Sequence, residues 1–197
     1  MGQLQRRNSE LVDLLSADFI NCWEPIEQSV LTEAFAAVTF KDIPQIFRSL
    51  VLLGQIRSDR VAELDGIIAR FNDDNGDNYS YVEAAFYCND EIHTNCAGYG
   101  ARTSRIRAGK FDAASSISNT YTPFHWNLPG YLRTDRTKWL ESLQSGPVGN
   151  LGTGADMQIV LNRGFWEVLE PITSITVFPE IGPNFVRGCI LELYGVL

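Results

Sequence analysis

From about residue 29 the sequence is a succession of short runs rich in β-branched and aromatic residues, each closed by Gly, Pro, Asn or Asp. No other feature constrains the chain so tightly, because such runs read as strands separated by turns. They predict strands near 29–40, 48–57, 64–71, 79–87, 101–107, 117–127, 137–144, 156–168, 172–179 and 187–195. Asp42 to Phe47, with Pro44 between apolar positions, reads as a turn or a single helical turn that redirects the chain. The last run alternates most clearly. It places Cys189, Leu191 and Leu193 on one face and Ile190, Glu192 and Tyr194 on the other, as in a half-buried strand. The near absence of helical periodicity after residue 28 excludes a βαβ arrangement. The expected fold is all-β: an antiparallel β-sandwich, jelly-roll-like, with Phe165, Trp166, Phe178, Phe185 and Tyr194 supplying much of the core.

Residues 1–28 follow a different period. Leu4, Leu11, Val12, Leu14 and Leu15 recur at roughly helical spacing, with Asn8 and Ser9 able to cap a helix start. An N-terminal helical arm is expected here, ending near Pro25. Its apolar stripe is too short to hold a helix alone. It is therefore expected to dock, on its own domain or on a neighbouring subunit, with Leu4, Leu11 and Leu15 as partner contacts. The domain plan is an arm at 1–28 and a sandwich domain at 29–197.

With 16 Lys and Arg against 24 Asp and Glu, the formal net charge is −8. A large surface for phosphates does not fit that balance, and no nucleic-acid partner is expected. Arg102, Arg105, Arg107 and Lys110 form one basic cluster, read as a contact for an acidic partner or, more commonly, as a solvated strand face. No apolar run approaches the ~20 residues of a membrane helix, and no basic-then-apolar leader opens the sequence. No membrane partner is expected, and folding is placed in a cytoplasm. The four cysteines, Cys22, Cys88, Cys96 and Cys189, are too scattered for a disulfide framework. Free thiols are expected, with a Cys88–Cys96 bridge across a short connection left open.

Catalytic chemistry finds little to work with. The only histidines are His93 and His125. His93 lies in the polar stretch Asn89 to Cys96, where Asp90, His93 and Cys96 have no common zinc spacing. His125 sits between Phe124 and Trp126 in a predicted strand and reads as a packed or surface residue. No nucleophile elbow, P-loop or dinucleotide fingerprint is present, and the glycine-rich 149–154 reads as a flexible loop. In 71–79 (FNDDNGDNY), Asp73, Asn75 and Asp77 alternate like calcium ligands, but the closing glutamate is missing. The loop is better read as a hairpin with Gly76 at positive φ. No catalytic residue, metal or cofactor is expected.

Three stretches taken in order carry a family resemblance. The first is Ile43-Pro44-Gln45, Phe47-Arg48-Ser49-Leu50 and Gly54-Gln55-Ile56-Arg57-Ser58-Asp59-Arg60. The second runs from Phe71 to Asn78-Tyr79. The third leads from Ile175-Thr176-Val177-Phe178 through Gly182-Pro183-Asn184-Phe185-Val186-Arg187-Gly188-Cys189 to Leu193-Tyr194-Gly195-Val196. Together they resemble a family of tailed-phage virion proteins, small β-rich modules ending in a Leu-Tyr-Gly-aliphatic strand. Asn127-Leu128-Pro129-Gly130-Tyr131, followed by Arg136-Thr137-Lys138, is similar to the family's proline-tyrosine strand end. Cys189 departs from the serine that relatives commonly carry after the glycine.

The resemblance implies a virion component assembled in the host cytoplasm, with the major capsid protein or other virion proteins as partners. A capsid decoration or cement protein on the outer head surface is the leading expectation, with a tail-fibre, baseplate or neck component as the alternative. A homotrimer is expected, with Tyr131 and Trp139 as trimer or capsid contacts or, equally, as core residues of the second sheet. From another class, a carbohydrate-binding jelly roll would need Trp23, Trp126 or Trp139 exposed as a stacking platform.

Overall fold

A computed structural model describes residues 23–88, 92–148 and 156–197. Among them the strands are β1 (Trp23–Val30), β2 (Val38–Phe40), β3 (Ser49–Ile56), β4 (Leu64–Phe71), β5 (Tyr79–Cys88) and β6 (Ile92–Thr103), followed by β7 (Ile106–Asp112), β8 (Thr122–Pro129), β9 (Lys138–Val148), β10 (Asp156–Trp166), β11 (Ile175–Pro179) and β12 (Ile190–Val196). An eight-stranded sheet in the order β1-β12-β3-β8-β9-β10-β5-β6 faces a four-stranded sheet in the order β2-β11-β4-β7. Each neighbouring pair is antiparallel. The described residues therefore form an all-β antiparallel sandwich.

Alternation decides which residues meet between the sheets. From the larger sheet come Leu50, Leu52 and Ile56, then Phe124, Trp126 and Leu128, then Leu191 and Leu193, each almost wholly buried. From the smaller come Ile67, Ala69 and Phe71 of β4, Ile106 and Ala108 of β7, and Ile175 and Val177 of β11. Burying one such large aliphatic or aromatic side chain contributes about 1.5–3 kcal/mol. The expected faces of β12 hold, since Cys189, Leu191 and Leu193 are fully buried while Ile190, Glu192 and Tyr194 are half-buried. Of the aromatic residues assigned to the core, Trp166 and Phe185 are there. Phe165, Phe178 and Tyr194 alternate onto the opposite faces and stay half-buried.

Several boundaries differ from the sequence reading. The run 29–40 is two strands in two sheets, because after Val30 the chain crosses over. Leu31 and Phe35 pair with Cys189 and Phe185 on the way. Sheet pairing begins at Trp23, ahead of the boundary expected after residue 28, and Pro25 lies within β1. An edge strand tolerates proline, and a register shift between Pro25 and Glu27 accommodates it. The rest of the expected arm, with Leu4, Leu11 and Leu15, lies outside the described residues. The stretch around His93, read as a polar connection, belongs to β6, an edge strand ordered by its pairing with β5.

The 71–79 segment is not a hairpin. It joins β4 of the smaller sheet to β5 of the larger, so it bridges the layers. The positive φ angles fall on Asn72 (51°) and Asp73 (54°) rather than Gly76, as Asn and Asp tolerate this region locally.

Candidate functional site

The smaller sheet covers the inner face of the larger one. Over β5, β8, β9 and β10 the outer face carries an apolar band. Cross-strand register assembles it into rows: His125 faces Leu143, Leu143 faces Leu161, and Leu161 faces Ala84. In the next row Asn127 faces Glu141, Glu141 faces Arg163, and Arg163 faces Val82. Val82, Leu143, Met157, Ile159 and Leu161 are each 46–50% exposed. A contiguous apolar face of this kind marks a place where another element or molecule packs. Its centre is a shallow groove of about 450 Å³ lined by Val82, Ala84, His125, Leu143, Leu161 and Arg163, among others.

Polar and aromatic groups edge the band. Arg163 Nη2 meets Glu141 Oε1 at 3.0 Å, and its guanidinium lies 4.8 Å from the centre of the Trp139 ring. Trp139 in turn packs on Phe165 at 5.1 Å. At the other border Trp23, 43% exposed, stacks on His125 with centroids 6.3 Å apart and planes 11° apart, and leans on Tyr194 at 5.9 Å.

Of the predicted contacts, Trp139 stands on this face, 38% exposed. Tyr131 does not reach a surface: it is fully buried, its hydroxyl donates to Pro44 O, and Phe47 N donates to the same hydroxyl oxygen at 3.4 Å. Gly130, at φ 61°, turns the chain so that the ring folds back under the 43–47 turn. Tyr131 is thus a core residue, not a subunit or capsid contact. Trp126 is likewise fully buried and cannot serve as a sugar platform.

The loop at 71–79 acquires a structural role. Asp73, Asn75 and Asp77 are exposed, whereas Asp74 turns inward and accepts hydrogen bonds from Trp166 Nε1 at 2.6 Å, Asn78 Nδ2 at 2.9 Å and Gly76 N at 2.8 Å. Burial alone would raise its pKa, but these donors outweigh it and hold the carboxyl below the ordinary carboxylate value. The basic cluster splits. Arg102 is exposed, while Arg107 reaches Glu83 at 3.6 Å and Glu180 at 3.3 Å, and Lys110 reaches Glu83 at 3.7 Å. Glu83 has a fully buried side chain, so these two cations tie β7 to β5 instead of forming a solvated face.

Cys88 pairs in register with Ile92 and Cys96 with Ala84. That four-residue offset, ~13 Å along the strand, is beyond disulfide reach. Cys189 is buried, and burial pushes its thiol up to about 11, which keeps it protonated and unreactive. Asp90 and the side chain of His93 lie outside the described residues, as does the whole of 149–154. Sequence reasoning missed Val82, Leu143 and Leu161. The available signal was that 157–166 carries apolar residues on both alternations, the pattern of a strand packed on two sides.

No family model matches the chain, and no curated protein matches it. Among solved structures, a chain titled "NanB plus Optactamide" aligns with 79% of this chain at 10% identity and a TM-score of 0.27. The alignment spans about a quarter of that longer chain, 26%. A likeness so slight bears on neither fold nor role.

Proposed function

We propose that the protein is a non-enzymatic structural module that docks the outer face of its larger sheet on another protein. Following the sequence resemblance, it is a tailed-phage virion component, a capsid decoration or cement protein on the outer head surface. The apolar band across β5, β8, β9 and β10 carries the reading. A half-exposed apolar core edged by Glu141, Arg163 and Trp139 has the anatomy of a protein interface, an apolar centre with a polar rim rich in Arg and aromatic residues. Copies of a module arrayed on a head bind together far more firmly than one alone, so modest affinity per face suffices. The major capsid protein is the proposed partner.

The test mixes purified protein with heads from phage lacking it and measures cosedimentation, with an averaged map of the loaded particle. Density over the head surface with the band facing inward is the expected result. Density on the tail would replace this role by the tail-fibre, baseplate or neck alternative, and absence from particles would overturn the virion reading. The half-exposed Trp23 and Trp139 favour a second reading, carbohydrate binding by stacking. A glycan array with Trp139→Ala as control tests it, and signal lost in the variant would support it.

A further inference from the structure

The described chain begins at Trp23, and Trp23 already leans on the band. Its ring is stacked on His125, which opens the row His125, Leu143, Leu161 and Ala84. Whatever precedes Trp23 is therefore tethered at the border of the groove. The preceding 22 residues carry Leu4, Leu11, Leu15 and Phe19 at spacings that fall on one helical face, with Arg6, Glu10 and Asp13 on the other. A helix from Leu4 to Phe19 would span ~22 Å at ~1.5 Å per residue. Four adjacent strands at ~4.8 Å spacing present ~14 Å of width, so the apolar stripe is long enough to cross the band. The two surfaces solve each other's problem. The sheet face lacks a covering layer among the described residues, and the segment is too short to hold a helix without one.

We propose that residues 1–22 of this same chain lie across the outer face of the larger sheet in the free protein, with Leu11 and Leu15 over Leu143 and Leu161. The tether at Trp23 makes the contact intramolecular, with an effective concentration on the order of millimolar. The inference rests on reading the band as the docking site and deepens it. The segment is the band's resident occupant, and a partner engages only by displacing it. Displacement would then free Leu4, Leu11 and Leu15 for a neighbouring subunit.

The test uses the full chain with p-benzoylphenylalanine incorporated at position 161. Irradiation of the free protein is expected to join position 161 to a residue within 1–22 of the same chain, in a product of monomer mass. In parallel, Leu11→Ser with Leu15→Ser should leave the β-sheet circular dichroism intact and raise the fluorescence of the apolar dye ANS severalfold. Crosslinks that join two chains would overturn the proposal in favour of arm exchange between copies, as would no crosslink to 1–22, or unchanged dye binding in the double variant. Particle cosedimentation is scored separately, so a protein that crosslinks as expected yet binds no heads refutes the virion role and not this contact.

Discussion

Asp74 shows how one side chain ties together parts of the chain far apart in sequence. It fixes the 71–79 bridge to Trp166 at the end of β10, where Phe71, Tyr79 and Trp166 pack with ring centroids 5.8–6.2 Å apart. Asp74→Ala removes a charged acceptor from a half-buried site and is expected to cost roughly 2 kcal/mol, read by urea unfolding. Because the folded pKa is depressed, the contribution is complete above the ordinary value of 3.8 and fades as pH falls through the lower folded value. The stability gap between wild type and Asp74→Ala should therefore close on acidification below 3.8. A gap that persists at low pH would mean the loss is one of packing. Since Asp73, Asn75 and Asp77 are exposed and Asp74 is held by protein donors, a chelator should leave the melting temperature unchanged. A fall reversed by calcium would show that the loop is a cation site.

Among the elements, β7 is held in place through a backbone feature at Gly109. Gly109 has φ 130°, and a Cβ placed there would fall 1.7 Å from Gln144 Oε1. The adjacent Ala108 carbonyl accepts hydrogen bonds from Ser142 Oγ and Gln144 Nε2. Gly109→Ala combines backbone strain with overpacking and is expected to cost about 1–3 kcal/mol, measured as a lower denaturant midpoint. The strands themselves were largely legible, because alternation and turn residues are local signals. Sheet membership was not. The 71–79 sequence has the chemistry of a hairpin, and only tertiary packing sends its two strands into different layers. The start of β1 was hidden by Pro25 between Glu24 and Ile26, a pattern that only an unpaired strand edge tolerates. The candidate site was legible at its two bordering tryptophans, Trp139 and Trp23. Tyr131 has the same sequence signature as an interface aromatic, and nothing short of the turn at Gly130 tells which way its ring goes. Leu143 and Leu161 become one surface only through the registers of β9 with β8 and β10.

For the whole molecule, the band gives the sharpest expectation. Leu143→Glu with Leu161→Glu places two charges on the outer face of the larger sheet and none between the sheets, so the sandwich should still fold while cosedimentation with heads is lost. Retained binding would exclude this face as the contact. Sedimentation of the purified chain is expected to give a trimer, and a stable monomer would confine any trimer to the assembled particle. The strand order carries one more consequence, for how the molecule is made. The last described strand, β12, sits between β1 and β3, with Leu191 opposite both Ser29 and Gly54. While the chain is still emerging from a ribosome, β1 has no partner to zip against and β3 presents a bare edge. The nascent protein passes through a stage in which its larger sheet is split, and a chaperone that shields open strand edges would find its client there.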